Sequence, residues 1–121
     1  MPYDVDMPEE MLLLARTLLE RTKQGKIEWS VTDNDSEFLY SSTRSALLIG
    51  GDPYEGTYEL QLLNHQGSAV ATLSNEAEEE DSEIHRILEE LFREARNRAL
   101  EIDSTLTDIH KALGILDLSK D

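Results

Sequence analysis

Cysteine is absent from the 121 residues, so disulfides, cysteine nucleophiles, thiolate zinc sites and iron–sulfur clusters are excluded together. Basic residues are scarce: 11 Lys plus Arg stand against 26 Asp plus Glu, a formal charge of −15. A field of that sign repels nucleic-acid phosphates and anionic lipid, which argues against direct nucleic-acid binding and favours basic partners or plain solubility. Long apolar runs are missing too. The longest, Met11–Ala15, has five residues, whereas a membrane-spanning helix needs roughly 20. The opening Met1-Pro2-Tyr3-Asp4-Val5-Asp6 is acidic where a secretory signal is basic, so a cytoplasmic location without a membrane contact is expected. What remains is 39% hydrophobic and 31% charged. Those proportions and this length suit one domain, residues 1–121, with apolar material for a single core.

The first half changes its hydrophobic period once. Asp6, with Glu9 three residues on and Pro8 between them, resembles a capping arrangement and predicts a helix from about Met7. Met11, Leu12, Ala15, Leu18 and Leu19 share one face, Arg21 and Lys23 suit the negative end, and Gly25 supplies a left-handed stop. Leu13 and Leu14 widen the stripe beyond one face, as expected of a helix covered on two sides or meeting a second chain. After Gly25 the period becomes two: Ile27, Trp29 and Val31 alternate with polar residues as a half-buried strand. Asp33-Asn34-Asp35 reads as a turn and Glu37–Ser41 as the next strand. Ser42-Thr43-Arg44 is a further reversal. Ala46–Ile49 reads as a central strand covered on both faces, Gly50–Gly56 as a loop, and Thr57–Leu63 as a strand with Tyr58, Leu60 and Leu62 inward. Asn64-His65-Gln66-Gly67 is a tight connection into a fifth strand, Ser68–Leu73. Connections this short exclude crossover helices, so the strands form an antiparallel meander.

Residues 74–83 carry Glu76, Glu78, Glu79, Glu80, Asp81 and Glu83 and read as an exposed acidic linker. From Ile84 the apolar positions recur every three or four residues through Leu88, Leu91, Ala95, Ile102, Leu106, Ile109 and Leu113. Either one helix of about thirty residues, roughly 45 Å long, or two joined at Asp103-Ser104 fits this pattern; length favours the joint, with Asp103 capping the second. Gly114 ends it. Helix, then strands, then helices indicates an α+β layer fold with helices on one face of a curved sheet.

No motif specifies a reaction. Of the three histidines, His65 falls in a hairpin turn, His85 in the first turn of a helix and His110 near the end of the last. His85 has i, i+4 spacing to Asp81 and Glu89, but two ligands do not make a metal site, so a solvated helix-surface histidine is expected. The acid run lacks the spacing of an EF-hand loop and Gly50–Gly56 lacks a phosphate-cradling pattern. No catalytic, cofactor or metal residue is assigned, and no cofactor is implied. Trp29, Phe38, Tyr40 and Tyr58 are expected in core or cross-strand packing. Arg86, Arg93, Arg96 and Arg98 form a basic cluster whose helical spacing to acids, Arg86 to Glu90 and Glu94 to Arg98, predicts surface pairing.

The runs Leu19-Glu20-Arg21-Thr22-Lys23-Gln24-Gly25-Lys26-Ile27-Glu28-Trp29 and Ala95-Arg96-Asn97-Arg98-Ala99-Leu100-Glu101-Ile102-Asp103 resemble a widespread group of small uncharacterised bacterial proteins. Those proteins have a helix ending in a TxxGKIxW-like run, a meander, and a last helix with an ARxxALxxD-like segment. Glu101-Ile102 stands where that group often has Gly-Val. The resemblance implies the architecture and a bacterial origin and brings no catalytic residue with it. The leading expectation is a non-catalytic interaction or accessory protein whose partner is another protein or a second copy. Its surface is expected at Leu13, Leu14, Glu78, Glu79, Glu80, Leu106, Ile109 and Leu113. Two alternatives come from other classes: an acidic inhibitor that imitates nucleic acid to occupy a basic protein, and a small hydrolase or metal-dependent enzyme using His65, His85 or His110.

Overall fold

A computed structural model describes residues 3–114, the side chains of residues 3–8 and of Asp103 apart. Its order is α1 (Tyr3–Lys23), β1 (Ser30–Val31), β2 (Glu37–Ser41), β3 (Ala46–Asp52), β4 (Thr57–Leu63), β5 (Ala69–Ser74), α2 (Glu83–Ala99) and α3 (Ile102–Leu113). The five strands lie side by side in chain order, every pair antiparallel. This is the expected α+β meander with a leading helix and two trailing ones.

Helix α1 buries Met11, Ala15, Leu18 and Thr22, which recur in steps of three and four on one face. Its end is a Schellman turn: Gly25 N–H donates to the Thr22 carbonyl at 3.0 Å and Lys26 N–H to that of Arg21 at 2.9 Å. Gly25 sits at φ +77°, where a side chain would be strained. The beginning differs from expectation. The helix starts at Tyr3, so Asp6 and Pro8 lie inside it rather than at its cap; Asp6's side chain is outside the described residues. Two salt bridges fix α1 beside α2. Arg16 Nε and Nη2 donate to Glu83 Oε2 at 2.8 and 2.5 Å, and Lys23 Nζ lies 2.5 Å from Glu90 Oε2. Seven-residue steps on both helices, taken in the same direction, mean that the two run parallel.

The strand expected over Ile27–Val31 shrinks to two paired residues. Trp29 is buried, but its indole N–H donates to Thr22 Oγ1 at 3.0 Å and its ring lies 6.1 Å from that of Tyr40. The segment leaving the Gly25 turn is therefore tied to α1 before it reaches the sheet. Val31 ends on the outermost strand and stays 55% exposed.

β3 also differs. It continues through Gly50, Gly51 and Asp52, where a loop was expected, and the reversal is confined to the residues between Asp52 and Thr57. The two glycines serve packing within the sheet: Gly51 pairs with Tyr58, and a Cβ on it would meet Tyr58 Cδ1 at 2.3 Å and the Thr57 carbonyl oxygen at 2.9 Å. β3 is central but is covered on one face only. Leu47 and Ile49 are buried, while Leu48 and Ala46 on the other face are half-exposed and outside the core.

That core is one layer. Phe38, Leu47, Ile49, Tyr58, Leu60 and Leu73 from the sheet meet Met11, Ala15 and Leu18 from α1 and Leu88, Leu91, Phe92 and Ala95 from α2. Phe92 is at its centre, with its ring 5.7 Å from Phe38 and 5.3 Å from Tyr58.

The C-terminal stripe is two helices, not one. α2 stops where Leu100 N–H donates to the Arg96 carbonyl at 3.0 Å and Glu101 N–H to that of Arg98 at 3.2 Å. The joint is earlier than Asp103-Ser104. Glu101 takes the left-handed conformation at φ +53° with no side-chain cap, and Asp103 falls in the first turn of α3 rather than capping it. Gly114, at φ +73°, ends α3 as expected.

Replacing Gly51 with alanine pushes a methyl into the Tyr58 ring. Urea unfolding should show a loss of about 1–3 kcal/mol, the usual cost of overpacking, without loss of cooperativity. An unchanged midpoint would mean that β3 and β4 do not approach as described.

Candidate functional site

The structure separates the three histidines. His65 is exposed in the β4–β5 turn and His110 is half-buried on α3. His85 was expected on a solvated helix surface, yet its side chain is only 14% exposed. It is held by Asn75, the second residue of the segment read as an exposed acidic linker. Asn75 is 4% exposed, and its contacts reach 10, 17 and 19 residues along the chain.

The amide of Asn75 is oriented without ambiguity. Oδ1 accepts from the Tyr58 backbone N–H at 2.7 Å, so Nδ2 is the side that reaches the Gly56 carbonyl at 2.9 Å and His85 Nδ1 at 2.5 Å. An NH₂ group can only donate, so Nδ1 accepts and the neutral ring carries its proton on Nε2. The ring also packs edge-on to Tyr58 at 6.2 Å. Ser82 Oγ accepts from the His85 backbone N–H at 3.1 Å as the N-cap of α2. Nδ1 is thus engaged by the Asn75 amide. Glu89 Oε1 is 3.7 Å from Nε2, too far for a hydrogen bond. Among the described residues no three His, Asp or Glu side chains gather as metal ligands do.

Beside this cluster, Pro53, Tyr54, Tyr58, Glu89, Phe92, Arg93 and Arg96 line an open cleft. Tyr54 is fully exposed, on a turn where its backbone N–H donates to Asp52 Oδ1 at 3.0 Å. The tyrosine at the back of the cleft is perturbed: burial raises the Tyr58 phenol above its ordinary value, Glu89 and Asp52 add to this, and Arg93 opposes it. The expected Arg86–Glu90 pair does not form, because Glu90 is taken by Lys23 from α1; that carboxylate in turn raises the Lys23 ammonium. Glu94 and Arg98 do approach, at 3.8 Å.

The expected interaction residues fall into three separate sets. Leu13, 61% exposed, and half-buried Leu14 edge an apolar groove with Met11, Thr17 and Leu62, between α1 and β4. Glu78, Glu79 and Glu80 are exposed in the irregular segment before α2. Leu106, Ile109 and Leu113 are 48%, 47% and 65% exposed on α3, a helix that packs chiefly on α2. Sequence reasoning missed Asn75, whose partners are all distant in the chain, and the display of Tyr54.

No protein-family model, curated protein or solved structure matches this chain.

Two measurements check the buried cluster. Asn75→Ala strands the Tyr58 N–H and should cost about 1–3 kcal/mol in denaturant unfolding, the penalty for an unpaired buried donor. The raised Tyr58 phenol means that the folded state holds its proton longer than the unfolded chain. Its stabilising contribution is therefore complete below about pH 10 and is lost as pH rises beyond that. Tyr58→Phe should flatten the alkaline fall in stability; an unaltered pH profile would contradict the assignment.

Proposed function

We propose that the protein is a non-catalytic interaction module that binds another protein chain through the apolar face of α3. One observation carries this reading. Leu106, Ile109 and Leu113 stand about half or more exposed along a single face of a helix that contributes nothing to the buried core. A short helix in water is marginal by itself, and an aligned row of large apolar side chains gains stability only when covered. The groove edged by Leu13 and Leu14 is a second apolar surface on the same protein, and it supports the same class of function. The acids around the sheet keep the remaining surface hydrated.

The test is affinity capture with the purified chain as bait, run beside a Leu106→Glu/Ile109→Glu double variant. Both positions are exposed, so circular dichroism of the variant should match that of the parent. A protein retained in stoichiometric amount by the parent and lost from the variant is the expected result. Equal retention by both, or retention by neither, would refute the proposal.

A further inference from the structure

We infer that the cleft between the β3–β4 turn and α2 is a binding site for a small phosphate monoester that carries a flat ring, with Arg93 and Arg96 holding the phosphate and Tyr54 covering the ring. None of the lining residues belongs to α3, so this site is independent of the interaction reading.

The first ground is unpaired positive charge. The chain has 26 acids for 11 bases, and the acids of α2 have other partners: Glu83 meets Arg16, Glu90 meets Lys23 and Glu94 lies nearest Arg98. Arg93 and Arg96 make no ion pair and no side-chain hydrogen bond among the described residues. Both are exposed, and three residues apart on one helix they share a face. A guanidinium grips phosphate oxygens through two parallel N–H bonds. A monoester carries about −1.5 to −2 charges at pH 7, which two arginines match.

Tyr58 adds a donor. It is 5% exposed, but its hydroxyl, which has no partner, is not buried and so opens on the cleft it lines. Arg93 and Glu89 act on that phenol in opposite senses, which sets both charges near it. The Glu89 carboxylate opposes an anion, so the phosphate sits toward Arg96, about two helical turns along α2. The net charge of the chain slows the approach of any anion, but the guanidinium contacts act well inside the screening length of about 10 Å at 0.1 M salt.

The second ground is a displayed aromatic ring on a fixed backbone. Tyr54 is fully exposed, and with Pro53 and Phe92 it supplies the apolar lining. Its turn is tied down: the Glu55 and Gly56 N–H groups donate to the Asp52 carbonyl at 3.1 and 2.8 Å, and Asn75 Nδ2 donates to that of Gly56 at 2.9 Å. A ring held this way loses little freedom when a ligand stacks on it. The cleft measures about 540 Å³, within the roughly 300–1,000 Å³ of small-molecule sites.

Phenyl phosphate, AMP and inorganic phosphate are titrated separately into the intact, isotope-labelled chain and followed by NMR. A cleft this open should bind at least one of the two esters with a Kd on the order of 1 mM and inorganic phosphate at least about fivefold more weakly. The amides that move should include Tyr54, Glu55, Arg93 and Arg96. Whichever ester binds more tightly identifies the ring as aryl or nucleoside. Arg93→Gln and Arg96→Gln should each weaken the ester about fivefold or more, and Tyr54→Ala about threefold. All three side chains are exposed, so circular dichroism of the variants should match the parent. Arg44→Gln makes the same change of charge in the β2–β3 turn, at the other end of β3, and should leave the affinity unaltered; Glu89→Gln should raise it. The inference is overturned if neither ester gives saturable shifts up to about 10 mM, ten times the expected midpoint. Equal binding of ester and inorganic phosphate, or an equal loss in the Arg44 and Arg93 variants, would also overturn it. So would a tyrosine-phosphorylated peptide that binds far more tightly than phenyl phosphate, which would assign the cleft to a protein partner.

Discussion

One-sided burial governs this structure. The sheet presents Phe38, Ile49, Leu60 and Leu73 to a single layer made by α1 and α2, and Phe92 links three of its parts through ring contacts to Phe38 and Tyr58. Burying one such side chain contributes about 1.5–3 kcal/mol, so the few residues in this layer account for most of what holds the domain closed. The rest is arranged around it. The parallel course of α1 and α2 and the glycine opposite Tyr58 are both conditions for that layer to close. α3 lies outside it, which is why its apolar residues are available.

Legibility in the sequence followed the range of the interactions involved. The helix of Met11, Ala15 and Leu18, the turns at Asn34 and Asn64, the meander and the stops at Gly25 and Gly114 rest on neighbours within about five residues, and they were readable. Gly50 and Gly51 were misread because glycine next to Asp-Pro is a turn signal locally, while here the Tyr58 ring across the strand pair requires the missing side chain. Trp29 fitted an alternating strand, but its indole N–H is bonded to the Thr22 hydroxyl and the strand is paired only at Ser30 and Val31. The joint after α2 could be placed only to within a few residues, because Glu101 is an uncommon residue for a left-handed turn.

The buried cluster was the least legible. Asn75 stands before an acid run and looks like part of it. Its role depends on Tyr58, Gly56 and His85 converging, which only the closed sheet brings about. His85 was singled out for its chemistry, and its ring is held by the Asn75 amide and packed edge-on to Tyr58. The exposed residues of α3 were visible as a helical stripe. Their place on a separate helix is the arrangement that length favoured, with the break at Glu101 rather than at Asp103-Ser104.

The segregation of charge has a practical consequence. Residues 24–82 hold twelve acids against two bases, and residues 83–114 seven against five. Held on a cationic support, the protein binds chiefly through the first of these stretches, and salt releases it as those charges are screened.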